Sequence, residues 1–162
     1  MNIFFLEPDV RECAQAHVDK HVVKMILEYA QLLSTAHRVL DEQLSVELDS
    51  LLYKTTHKNH PCAVWVRENS ENYRYLHSLL VALCDEYSYR YERVHATQSK
   101  GIVDALEILP KNISICEKMT PAPKCVTDDC IRDDIHESYR EYYRTQKAHI
   151  LSWKNRPEPV WV

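Results

Sequence analysis

His17-Val18-Asp19-Lys20-His21-Val22-Val23-Lys24-Met25-Ile26-Leu27-Glu28-Tyr29-Ala30-Gln31-Leu32-Leu33-Ser34-Thr35-Ala36 is the stretch on which the fold turns. At 100° per residue, Val18, Val22, Met25, Ile26, Tyr29, Leu32, Leu33 and Ala36 fall on one broad apolar face. Val23, Leu27 and Ala30 form a second apolar strip. Between the two runs a polar stripe: His17, Lys20, His21, Lys24, Glu28, Gln31 and Thr35. A helix apolar on two sides belongs in the middle of a bundle. Its polar stripe then lines a cleft or is internally paired, because unpartnered buried polar groups are costly.

The helical pattern extends outward in both directions. Asp9 and Glu12 have capping-box spacing, so one long helix is predicted from Asp9 to about Leu40. Residues 2–6 before it are apolar and extended, a short buried strand or arm. Asp41–Asp49 is an acidic connection or short helix. Pro61 suits the first turn of a short helix through Trp65. Ser70 is expected to cap a second long helix with Tyr73, Leu76, Leu80, Leu83, Tyr87 and Tyr91 on one face. Residues 96–130, with Gly101, Pro110, Pro121 and Pro123, read as an irregular crossing loop. A last helix spans about Asp133 to Ser152. The predicted fold is all-α: a compact helical bundle in a single domain over residues 1–162.

Composition narrows the function. Gly101 is the only glycine, which excludes the dinucleotide fingerprint and the P-loop. No apolar run approaches the ~20 residues of a membrane span. The start, Met1 to Leu6, lacks the basic flank of a signal peptide. A cytoplasmic location is therefore expected, with the six cysteines as thiols. The net charge of −4 does not favour long stretches of duplex contact, although a local basic face remains open.

Three constellations carry candidate chemistry. The first is the α-helical stripe, where Lys24 and Glu28 are spaced to pair and His17 and His21 stand one turn apart. These four are the candidate catalytic residues, with Lys20 beside them for phosphate. The second is the turn His57-Lys58-Asn59-His60, whose Lys58 and His60 suit phosphate contacts. The third is aromatic and basic: Arg90 after Tyr87 and Tyr89, then Arg140, Tyr142 and Tyr143, extended by Lys147 and Trp153-Lys154-Asn155-Arg156. Aromatic faces beside cations can clamp bases, which marks Arg90, Arg140, Tyr143, Lys154 and Arg156 as nucleic-acid or phosphate binders. Cys116, Cys125, Cys130 and His136 offer zinc-ligand chemistry, but without paired C-x-x-C spacing they read as incidental. No metal and no cofactor is expected.

Asp19-Lys20-His21-Val22-Val23-Lys24-Met25, Asn59-His60-Pro61 and Trp153-Lys154-Asn155-Arg156 resemble a group of small tailed-phage proteins, a likeness that carries no function of its own. The chain also resembles the phage-type pyrimidine-dimer DNA glycosylases. These are small all-α proteins with a short apolar start, a long helix bearing a histidine and an Arg-Glu pair, and an aromatic-basic end that grips DNA. His17 stands at the family's histidine, and Tyr142, Tyr143 and Trp153 to Arg156 resemble its end. With His17 so aligned, Val23 and Lys24 fall at the Arg-Glu positions. The family's nucleophile is the α-amine of residue 2 after methionine removal, where this chain has Asn2.

The resemblance implies a DNA-processing protein that binds DNA, or a flipped base, in the His17/His21/Lys24/Glu28 cleft. Lys24 would be the Schiff-base amine and Glu28 the proton carrier. A second reading is a protein that binds or hydrolyses a small nucleotide, such as a host signalling nucleotide, in the same cleft. A third is a helical protein-interaction module. If phage-encoded, the chain would act in the infected bacterial cell.

Overall fold

A computed structural model describes residues 1–162 and contains eight α-helices and no strands. The helices are α1 (Val10–Ala16), α2 (Asp19–Leu40), α3 (Val46–Leu51), α4 (Pro61–Glu68), α5 (Ser70–Tyr91), α6 (Ala96–Ser99), α7 (Ile102–Ala105) and α8 (Ile135–Gln146). The long helices α2 and α5 pack on each other, α4 and α1 flank them, and α8 closes the end where the chain begins. No helix is long and apolar enough to cross a membrane.

The opening residues form an arm. Ile3, Phe4, Phe5 and Leu6 are all buried. Phe4 stacks on His21 of α2 at 4.5 Å and meets Tyr143 of α8 edge-on at 5.3 Å. Phe5 stacks on Tyr75 of α5 at 5.3 Å and meets Trp65 of α4 at 5.6 Å. Fully burying each such side chain contributes roughly 1.5–3 kcal/mol. A buried backbone outside a helix or sheet still needs partners, and side chains supply them. The Phe4 N–H donates to the Tyr29 hydroxyl at 3.0 Å, and the Cys13 thiol donates to the Phe4 carbonyl at 3.2 Å. His136 Nδ1 donates to the Phe5 carbonyl at 3.3 Å, and Arg140 Nε to that of Leu6 at 2.9 Å.

The single helix expected from Asp9 to Leu40 is two. Asp9 caps α1 as its spacing indicates, accepting from the Arg11 and Glu12 N–H groups. The chain then leaves helical geometry at His17 and Val18, whose ψ angles are 133° and 154°. Neither glycine nor proline marks the break. Its causes lie far along the chain. Arg90 of α5, 1% exposed, donates to the freed carbonyls of Gln15 at 2.8 Å and His17 at 3.0 Å. Trp153 Nε1 donates to the Ala16 carbonyl at 2.9 Å. Asp19, at the start of α2, accepts from Arg90, the Ser152 hydroxyl and the Lys154 N–H. Burial raises the Asp19 pKa, but these three donors outweigh it and hold the carboxyl below its usual range.

Other boundaries shift for local reasons. Asn69, not Ser70, caps α5, its side chain accepting from the Glu71 and Asn72 N–H groups. Residues 96–130 contain α6, α7 and a 3-10 turn at Asp128–Cys130, so only the middle of that stretch is irregular. This crossing segment is pinned by Thr120, which exchanges hydrogen bonds with Asn72 and accepts from Trp65 Nε1 at 3.1 Å. The last helix ends at Gln146 instead of Ser152. Of the far apolar strip of α2, Val23 and Leu27 are about 40% exposed while Ala30 is buried, so the first half of that helix is buried on one face and the second half, Tyr29 to His37, on nearly all sides.

Arg90 also pairs with Glu86 at 2.6 Å, and both side chains are buried. Removing Arg90 leaves Glu86 with Arg156 alone and strips the Gln15 and His17 carbonyls of their donor, and breaking such a buried pair typically costs about 3–5 kcal/mol. Arg90→Met should therefore lower the urea-derived unfolding free energy by that amount. The exposed neighbour Arg93→Ala should change it by less than ~0.5 kcal/mol.

Candidate active site

The arm carries the amino terminus to the polar stripe of α2. The Met1 α-amine lies 3.5 Å from Glu28 Oε2, with side-chain exposures of 6% and 13%. Lys24 Nζ reaches the other oxygen of the same carboxylate at 3.1 Å, but its side chain is 65% exposed. Glu28 thus holds two amines, one sheltered and one at the surface. They share a pocket of about 230 Å³ with Asn2, Phe4, His21, Met25, Tyr142 and Lys147. Lys147 Nζ sits 5.1 Å above the Tyr142 ring at the rim. Three cationic groups therefore face one carboxylate.

His21 is the pocket's neutral polar wall. Burial, then the neighbouring His17, Lys147 and Lys24, push its pKa down to about 3. Its Nδ1 bonds the Tyr143 hydroxyl at 2.6 Å. His17 lies outside the pocket and is fully buried. Its Nδ1 donates to the Cys13 carbonyl at 2.7 Å, and its Nε2 accepts from the Tyr29 hydroxyl at 3.2 Å. That hydroxyl in turn accepts from Phe4 N–H. Burial brings the His17 pKa to about 4. His17 therefore anchors the arm and does not reach a ligand.

The other sequence candidates separate. Lys24, Glu28 and His21 come together, and Lys20 is exposed one turn before Lys24. Lys58 is exposed in its turn, while His60 caps α4 by accepting the Cys62 N–H at 3.2 Å. Arg90 is sealed in the core and cannot touch a phosphate. Tyr143 is likewise fully buried. Arg140 pairs with Glu7 and Glu137 and bonds the Leu6 carbonyl. The tail does not form a free basic strip either. Arg156 pairs with Glu86 at 2.9 Å and stacks 4.0 Å over Tyr89, and Lys154 Nζ sits 5.3 Å over Tyr91. In each case a partner far along the chain uses the cation.

Cys116, Cys125, Cys130 and His136 are not brought together. Cys116 is exposed, Cys130 is buried between Thr127 and Thr145, and His136 is bonded to the arm. Sequence reasoning missed the Met1 amine and placed Tyr142 and Lys147 only in a general aromatic-basic cluster. The available signal was the apolar arm itself, since burying residues 3–6 fixes where residue 1 must lie.

A family model described as pyrimidine dimer DNA glycosylase matches residues 1–99. The chain belongs to that family. No curated protein and no solved structure matches it significantly. The matched stretch includes the arm, α1, α2, α4 and α5, and hence Met1 and Glu28. Tyr142 and Lys147 lie outside it.

The two histidines make stability depend on pH. Each is held neutral in the fold but binds a proton near pH 6.5 when unfolded. Stability is thus complete above about pH 6.5 and is lost as pH falls from there toward about 4 for His17 and about 3 for His21. The slope should approach ~1.4 kcal/mol per pH unit for each histidine. Urea titrations from pH 7 to 4.5 should show this fall, and His17→Gln should flatten part of it.

Proposed function

We propose that this protein is a DNA glycosylase acting on pyrimidine dimers, with the Met1 α-amine as nucleophile and Glu28 as its proton carrier. The family assignment supports the substrate class. The observation that carries the chemistry is the sheltered amine 3.5 Å from a half-buried carboxylate. Once uncharged, the amine attacks C1′ of the damaged nucleotide, and the base leaves with the electrons of the glycosidic bond. The nitrogen, which carries two protons after the attack, gives up one, and its lone pair then expels the ring oxygen to give a protonated Schiff base. Glu28 is placed to accept the amine's proton and return it to the ring oxygen, the work of a general acid–base.

The nucleophile is then the Met1 amine and not Lys24. Lys24 is largely exposed, so it suits a phosphate beside the pocket, with Lys20 and Lys147 extending the same cationic rim. At about 230 Å³ the pocket falls below the ~300–1,000 Å³ of sites for drug-sized ligands. One base or sugar extruded from the duplex fits this scale, which favours the DNA reading over a pocket that encloses a whole free nucleotide.

Strand nicking on a duplex carrying one cyclobutane dimer tests the assignment. The unmodified protein should nick it and leave the undamaged duplex intact. Glu28→Gln should slow the reaction by about 10²–10⁴-fold. Lys24→Ala should mainly weaken binding and reduce its salt dependence by about one phosphate contact. No nicking of the dimer duplex by the unmodified protein would overturn the proposal.

A further inference from the structure

A second cluster lies beside the arm, where α4 begins and the crossing segment passes over it. His60 caps α4, Cys62 sits in its first turn, and Cys125 comes from the crossing segment. The two sulfurs are 3.7 Å apart. A ring nitrogen of His60 and both sulfurs lie within 4.8 Å of one another. Zinc–thiolate bonds of ~2.3 Å set a sulfur–sulfur edge of ~3.8 Å in a tetrahedral site. The observed separation matches that edge and is far longer than the ~2.05 Å of a disulfide bond.

We infer that His60, Cys62 and Cys125 form a zinc site that clamps the crossing segment onto the start of α4. The inference does not depend on the glycosylase reading. Its three donors come from two segments more than 60 residues apart, so a bound ion would close a long loop. The join also involves the arm, since Asn2 Nδ2 donates to the Cys125 carbonyl at 2.6 Å. A fourth position is left for water, as in three-ligand zinc sites. Binding converts two thiols to thiolates and releases their two protons. It also takes a lone pair from the His60 ring, whose Nδ1 accepts the Cys62 N–H. If the metal uses that nitrogen, the coordinate bond replaces the cap.

The test uses the full chain, expressed with zinc and purified without chelator. Elemental analysis should find one zinc per chain. Cobalt titration of the metal-free protein should give a thiolate charge-transfer band and the visible bands of tetrahedral cobalt. Cys125→Ser and His60→Asn should each weaken zinc binding by more than ~100-fold, because even an outer-shell partner costs about 10–100-fold. Asparagine still caps a helix, so His60→Asn keeps α4 while removing the ligand. Cys116→Ser, at an exposed thiol outside the cluster, should bind normally. Absence of zinc and of the cobalt band in the unmodified protein would overturn the inference. So would undiminished binding in both ligand variants, or a Cys62–Cys125 disulfide forming in air in a protein that binds no metal.

Discussion

Four apolar residues near the start of the chain, Ile3 to Leu6, are inserted among α2, α4, α5 and α8, and the geometry of the pocket depends on that insertion. The arm has no regular secondary structure, so its peptide groups are satisfied one at a time by Tyr29, Cys13, His136 and Arg140. These bonds fix its register. With Phe4 locked against His21, Met1 is placed at the Glu28 carboxylate. A terminus, normally the loosest part of a fold, is thereby given a defined position. The histidine that the family resemblance marks, His17, serves this end by orienting the hydroxyl that holds the arm.

The opposite terminus shapes the same helix from outside. Trp153, Lys154 and Ser152 dock where α1 gives way to α2, and buried Arg90 supplies the carbonyls that the break leaves open. The aromatic-basic residues that suggest a DNA grip are thus spent largely on intramolecular contacts. Cations left at the surface near the pocket are few: Lys24 on α2, Lys147 after α8, and Lys20 one turn away. A modest rim of this kind agrees with an overall charge of −4, and it suits a short damaged site better than a long stretch of duplex.

The all-α class, the two long helices and the Asp9 cap were legible because each follows from local spacing or local hydrogen bonding. Lys24 and Glu28 were also legible, since a four-residue separation brings them together on any helix. The break at His17–Val18 was not, because no residue there disfavours a helix and its causes are Arg90 and Trp153. Arg90, Arg140 and Arg156 look in the sequence like free cations. Their carboxylate partners include Asp19, Glu7 and Glu86, which only the tertiary fold brings into reach. The same holds for Cys125, which sequence groups with Cys116 and Cys130 but which packs against Cys62.

The α-amine of Met1, presented by the arm beside Glu28, is the proposed nucleophile. Borohydride reduction during reaction with a dimer-containing duplex captures the Schiff base, and mass spectrometry of the digested adduct locates the sugar remnant. The remnant is expected on the α-amine of the N-terminal peptide, with trapping retained in Lys24→Ala. A remnant on Lys24, together with loss of trapping in that variant, would contradict this assignment.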